Sequence, residues 1–403
     1  MSTESLAAAP AAGPAAGAPA SLLSDALRAT VSTASPTAPV DDEAARLDEL
    51  ATRLDAIRAR VEAAIGADDV KHVARTRAFS TAMQIVGRGL IHVSLDPVTF
   101  AVGVGALWLH KQLEATEIGH SALHGAYDKL PGAEKFASKT FDWRVPIDEE
   151  AWRYGHNVRH HQYTNVAGRD PDIHFGSVRL NPHTPHRPIH YAQVPITLAT
   201  ASLFGIGMNL HFTGVADALE GNGRPERFDF LPDDKPETVR AAWQKALRKF
   251  VPYYKRELLF YPLLAGPMFG KVLLGNLLSE LFRDLYSAAT IFCGHVGEDV
   301  ADYPAGTRAG GRGNWYKMQI EAANNFEVPW LLSMLCGALD RQIEHHLFPK
   351  FPPNRLREIA PEVRQACVDC GVEYRTDTWP RTLGKVARRI WRLSFPDRAA
   401  TPA

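Results

Sequence analysis

The chain of 403 residues reads as all-α: an integral membrane helical bundle with a cytosolic helical cap carrying a histidine-rich site for two metals. Three observations lead there. Histidines recur at helical spacing in three places: His120 with His124, His156 with His160 and His161, and Gln342 with His345 and His346. Residues three or four apart project from one helix face, so each group presents its side chains together. Seven histidines exceed the four ligands of one tetrahedral zinc and suffice for most of the coordination of two metals. Second, several apolar stretches approach bilayer length, and Ile189 to Ala216 contains no Asp, Glu, Lys or Arg. Third, Leu47, Leu50, Leu54, Ile57 and Val61 follow a 3-4 spacing with charges between them, the pattern of an amphipathic helix.

Composition narrows the function classes. Lysine plus arginine equals aspartate plus glutamate, at 45 each, so no basic excess points to nucleic acid. Mean hydropathy is slightly negative, an average over polar ends and apolar middle stretches. Four cysteines suggest no disulfide framework. Cys367 and Cys370 have the CxxC spacing of a redox or half-zinc site, but with no second pair, reduced thiols are the expectation.

Along the chain, residues 1–40 are rich in Ala, Pro, Ser and Thr with few charges, and read as a disordered leader without the basic start and apolar run of a secretory signal. Residues 41–76 form the amphipathic helix and a linker. The helix either packs onto the protein's own body or serves as a coiled coil or membrane-surface helix. Residues 77–375 hold the membrane domain. Phe79–Val93 carries one fixed charge, Arg88, and Val98–His110 carries none before its terminal histidine. With Leu95-Asp96-Pro97 as a turn they predict a helical hairpin whose second arm continues through Lys111 into the first histidine pair. Leu258–Gly270 and Leu285–Gly297 are further apolar candidates, broken by Lys271, Glu280, Arg283 and Asp284. Between them and Ile189–Ala216 lies a charged connector, 220–255, with a helix around Val239–Phe250. Residues 376–403 form a basic tail whose Arg381–Arg392 segment suits an anionic membrane surface.

The three histidine groups, in this order, resemble the membrane fatty-acid desaturases. The likeness extends to Glu117-Ile118-Gly119-His120, to Asn165-Val166-Ala167-Gly168-Arg169-Asp170-Pro171-Asp172, and to Leu347-Phe348-Pro349 and Pro353-Asn354-Arg355-Leu356. It covers roughly Glu117 to Tyr374. Gln342, in place of a first histidine, is similar to front-end desaturases and their bacterial relatives rather than to the animal stearoyl-CoA enzymes. The family also supplies a histidine between the second and third boxes, matched here by His295.

The resemblance implies two Fe ions, with O2 as co-substrate, held by His120, His124, His156, His160, His161, His295, His345 and His346, with Gln342 acting through water. Asp170, Asp172, Asp340, Glu344 and Glu298 are close enough in sequence to accept the outer N–H of a ligating imidazole. The implied reaction is desaturation of a long-chain fatty acyl group on coenzyme A or phospholipid. Hydroxylation, or oxidation of a sphingolipid or carotenoid, is the rival at the same site, and a divalent-metal transporter is the rival from another class. The chain has no HPGG haem motif, no four-cysteine iron–sulfur pattern and no GxGxxG, so electrons are expected from a separate NAD(P)H-dependent reductase or ferredoxin. All boxes must reach the same ions from one side of the bilayer. Four spans are therefore expected, with one apolar stretch lying along the interface. Cations flanking the boxes place them on the cytoplasmic side of the cell inner membrane.

Overall fold

The computed structural model describes residues 40–221 and 227–397. The leader expected over 1–40 lies outside the described residues except for Val40. The chain divides after Glu43 into two units, and the packing below concerns the second, Ala44 onward.

Helix α1, Val40–Ala64, forms where the 3-4 repeat predicts it. Its apolar stripe of Leu47, Leu50, Leu54, Ile57 and Val61 is buried against Tyr316, Ile320, Ile343, Leu347, Ile359 and Val363. Of the three uses considered for this helix, packing onto the protein's own body is the one observed.

Helices α2, Ala67–Val93, and α3, Pro97–Leu113, make the expected hairpin. Asp69 in the first turn of α2 accepts from the Gly66 N–H at 2.9 Å and from the Asn354 and Arg355 side chains at 2.7 and 2.8 Å. A carboxylate there also meets the positive end of the helix dipole. Asp96 caps α3 through the Thr99 N–H, with Pro97 following, where a missing N–H costs nothing. The two helices pack backbone to backbone. A Cβ at Gly87 would stand 2.6 Å from the Leu107 nitrogen. The second arm does not stop at Leu113 but continues through a π-helical turn, Glu114–His120, into Ser121–Leu123.

The charge-free stretch is not one rod. It forms α4, Gln193–Ser202, and α5, Phe204–Phe212, bent by 94° at Leu203. The break is held by a distant residue, since the Gly205 N–H at the start of α5 donates to the buried Asp284 carboxylate at 3.2 Å. Among the described residues, no single helix is long and apolar enough to cross a membrane, and this bent pair is so only jointly.

Helix α6, Pro236–Tyr254, contains the expected connector helix and runs through a second π-helical stretch, Lys255–Phe260, into Tyr261–Leu264. Helix α7, Phe269–His295, corrects the sequence reading. Lys271, Glu280, Arg283 and Asp284 do not break it. The last three are buried and matched to one another and to neighbours. Glu280 takes Lys111, Arg283 at 2.7 Å and the Tyr253 hydroxyl at 2.6 Å. Glu257 takes Arg88 at 2.7 Å and Lys111 at 2.9 Å. Buried charges are tolerated when each is paired, and here every one is.

The C-terminal third wraps around this frame. Beside a short helix over Trp330–Cys336, it includes α8, Arg312–Glu321; α9, Gln342–Leu347; α10, Pro353–Asp369; and α11, Trp379–Leu393. A short parallel pairing of Asn325–Glu327 with Thr376–Thr378 ties the tail beside the third box. A second small pairing, antiparallel, joins His174–Phe175 to Val178–Arg179. Helix α11 lies within the segment expected as a basic surface tail. Its Val386 and Ile390 pack with Val178, Leu180, Cys293 and Phe326, and Arg389 is buried on the Leu180 and Gly297 carbonyls and Asp302. The four thiols are all buried and free, and the CxxC pair lies in the core beneath α1.

Candidate metal centre

Each box is positioned by a different device. In the first, His124 N–H bonds the His120 carbonyl, an α-helical turn, and the two rings lie 4.6 Å apart. Within the π-helical turn before it, the Glu114 carbonyl also accepts from the Trp143 indole at 3.0 Å. Gly119 makes that approach possible, because a Cβ there would meet the Trp143 ring at 2.0 Å.

The second box follows Glu149–Trp152 and sits on a π-helical stretch, Arg153–His160, whose last bond runs from the His161 N–H to the His156 carbonyl. An i→i+5 bond adds a residue to the turn, so residues four and five ahead both face the side of the first. That is why His156, His160 and His161 all reach the site. In an α-helix, His161 would point away from His156. The Trp152 ring stacks on His156 at 4.5 Å. The third box is the short α9, and His295 closes α7.

These segments bring the histidines together in two adjoining groups. The ring nitrogens of His120, His124, His156 and His345 all lie within 4.8 Å of one another, as do those of His160, His295 and His346. His161 stands between the groups, its ring centroid 4.7 Å from His124 and 4.4 Å from His346. All eight are buried.

Hydrogen bonds at the back of the rings fix which nitrogen faces inward. His156 Nδ1 bonds Asp172 at 2.9 Å, His160 Nδ1 bonds Asp170 at 2.9 Å, and His295 Nδ1 donates to the Ala322 carbonyl at 3.1 Å. His346 Nδ1 donates to Gln319 Oε1 at 3.0 Å, with Thr164 Oγ1 at 3.2 Å. With Nδ1 so committed, each Nε2 is left as a lone pair. The Nε2 atoms of His160 and His346 then face each other at 3.3 Å, and those of His120 and His156 at 3.4 Å. For His160 and His346, lone pairs that close need a proton or a cation between them.

The charge state agrees. Burial, then the surrounding imidazoles, hold His161, His345 and His346 well below the ordinary histidine range, in the neutral form that binds metal. Burial lowers His160 too, but Asp170 and Asp172 outweigh it and raise it to about 9. The two carboxylates behind His160 thus favour positive charge at that ring.

The donor set fits a metal by a further test. His124 Nε2, His345 Nε2 and both nitrogens of His161 are buried without a hydrogen-bond partner. Such orphaned polar atoms are costly unless a ligand or an ion satisfies them.

Gln342 does not behave as the histidines do. Its amide nitrogen lies 2.7 Å from His295 Nε2, while its Oε1 is buried without a hydrogen-bond partner and is the atom it offers to an ion or a bound water. Of the carboxylates expected behind the rings, Asp170 and Asp172 are there. Asp340 instead accepts from Ser333 at 2.9 Å, and Glu298 pairs with Arg388 at 2.7 Å. Glu344 accepts from Asn325 and Tyr374, each at 2.8 Å, and burial pushes it up to about 7. Gln319, Thr164, the Ala322 carbonyl and Trp152 were not expected. Trp152, four residues before His156, and Thr164, four residues after His160, had spacings that pointed to them.

An apolar cleft opens onto the cluster. It measures about 720 Å3 including its mouth, and its walls include Val145, Ile147, Trp152, Met208, Ile291 and Leu339, with His120, His156 and His295 among the lining residues.

Residues 97–378 match the fatty acid desaturase family. The chain is 31% identical to the NADPH-dependent stearoyl-CoA 9-desaturase of Mycobacterium tuberculosis over 84% of its own length and 77% of that protein's. It is 27% identical to the sn-1 linoleoyl-lipid 6-desaturase of Synechocystis sp., over 70% of this chain and 78% of that one. It is 29% identical to an acyl-lipid (8-3)-desaturase of Physcomitrium patens, over 67% and 55% respectively. With three histidine groups gathered beside an apolar cleft and the family matched over most of its length, the chain belongs to the fatty acid desaturases and is an oxidoreductase.

Proposed function

We propose that this enzyme introduces a double bond into a long-chain fatty acyl group, carried on coenzyme A or a phospholipid, using O2 and two iron ions. The ions would be held by His120, His124, His156, His160, His161, His295, His345 and His346, with Gln342 reaching an ion through water by its unpartnered Oε1. The observation that carries this is the convergence of inward-facing Nε2 atoms, fixed by outer hydrogen bonds, on one apolar cleft. Bound iron would supply the strong oxidant that an unactivated methylene requires and that side chains lack.

The protein's own part is positioning. Asp170, Asp172, Gln319 and the Ala322 carbonyl hold the imidazoles in one tautomer. Val145, Ile147 and Leu339 line a water-poor groove that lays an extended chain past His120, His156 and His295. The histidine-rich cap is read as cytoplasmic and the remainder as embedded in the inner membrane. Exposed apolar side chains support that reading. Ile85, Val93, Leu95 and Val98 on the hairpin, Leu198 and Leu203 at the bend, and Leu263 and Leu264 before α7 are each more than half exposed. Soluble monomers rarely show so extensive an apolar surface.

Lipid profiling of a host with and without the gene tests the reaction. Loss of two hydrogens from a host acyl chain is the expected product. Gain of one oxygen would reassign the chemistry to hydroxylation.

A further inference from the structure

Two clefts on the outer surface adjoin one another, sharing Ala309 and Trp315. They measure about 1120 and 900 Å3 including their open mouths. The second is walled by Gln162, Tyr163, Arg308 and Trp315, and it includes Thr164 and Gln319. These last two are the groups that bond His346 Nδ1, at 3.2 and 3.0 Å, and Thr164 also donates to Gln319 at 3.0 Å. One hydrogen bond therefore separates this surface from an imidazole of the metal centre. The acyl cleft has none of these lining residues.

The surface is cationic. Arg58, Arg308, Arg312 and Lys350 line the two clefts, and Arg169 lies over the Tyr163 ring. Glu62 is the one carboxylate among the lining residues, and Arg58 already holds it at 2.8 Å. Arg312 is taken by Asp55. Arg169, Arg308 and Lys350 have no carboxylate partner among the described residues, and all three are exposed. A cationic rim around a partly buried tryptophan suits an acidic protein surface, because complementary charge steers encounter and sets the salt dependence.

We propose that this paired cleft is where an acidic one-electron carrier protein docks, and that electrons enter through Gln319 and Thr164 to His346. The inference rests on reading the histidine cluster as a redox metal centre. The overall change, –CH2–CH2– + O2 + 2 H+ + 2 e− giving –CH=CH– + 2 H2O, needs two electrons from outside. The carrier delivers them in two visits, losing one electron each time while the centre gains it.

The test uses the full-length, iron-loaded protein in detergent and a reduced acidic plant-type [2Fe–2S] ferredoxin as probe. Reduction of the centre is followed by stopped-flow absorbance. Arg308→Glu with Lys350→Glu is expected to slow reduction by ferredoxin at low salt by at least about tenfold. Iron content and reduction by dithionite should stay unchanged. Lys129→Glu, a charge reversal outside the clefts, should leave the ferredoxin rate unaltered. Equal rates for the double variant and the parent, or no reduction of the parent by ferredoxin, would overturn the docking site. So would a rise in KM for an acyl-CoA with an unchanged reduction rate, which would make the clefts a phosphate-binding surface. A parent that binds iron but is not reduced even by dithionite, or that binds no iron, would instead remove the metal-centre reading beneath it.

Discussion

At the level of single residues, the centre depends as much on the groups behind the imidazoles as on the imidazoles. Asp170 holds His160 from behind and also accepts the Asn165 N–H at 2.7 Å, so it fixes both a ring and the loop that follows the box. Asp170→Asn should lower iron affinity about 10- to 100-fold, measured by retention against a chelator, while leaving the other seven histidines in place. His346→Ala should abolish the new lipid product, and retained product would remove His346 from the site. The histidines were legible because their spacing was helical. The outer groups were legible only where they followed a box in the chain, as Asp170 and Asp172 do. Glu344 misled because it is adjacent to His345, and neighbours on a helix do not share a face. It turns instead to Asn325 and Tyr374.

At the level of elements, helix α7 shows why apolar runs were a partial guide. A break was expected at Glu280, Arg283 and Asp284, yet their partners, Lys111, Tyr253 and the start of α5, come from remote segments that make the charges compatible with a buried helix. Asp284 also explains the bend at Leu203. The N-terminus of α5 points at a carboxylate that no local reading of Ile189–Ala216 could supply. Helix α1 and the paired residues of the hairpin were legible because one apolar stripe meets one core. Leu54→Ala, at a fully buried position, should cost about 2–5 kcal/mol in a denaturant or thermal unfolding measurement. Arg389 is the element-level surprise, a cation of the basic tail that is in fact buried on two carbonyls and Asp302. Arg389→Met leaves Asp302 without its buried partner and should destabilise by about 3–5 kcal/mol.

The chain gathers histidines from residues 120 to 346 into one place and leaves a set of large apolar side chains exposed on the hairpin, at the Leu203 bend and before α7. The expressed protein should sediment with membranes and resist carbonate extraction, and release by carbonate would contradict the membrane reading. No nucleotide motif or second cofactor motif appears in the sequence, so the purified protein given only NADPH, O2 and acyl substrate should not turn over. Addition of a reductase or ferredoxin should restore product.

Metal analysis with X-ray absorption on the full-length protein goes most directly to the core of this reading. The expected result is two irons per chain, each with nitrogen neighbours at about 2 Å, and loss of both signals in a His161→Ala, His346→Ala double variant. A single freely exchangeable zinc, or iron with oxygen neighbours alone, would contradict it.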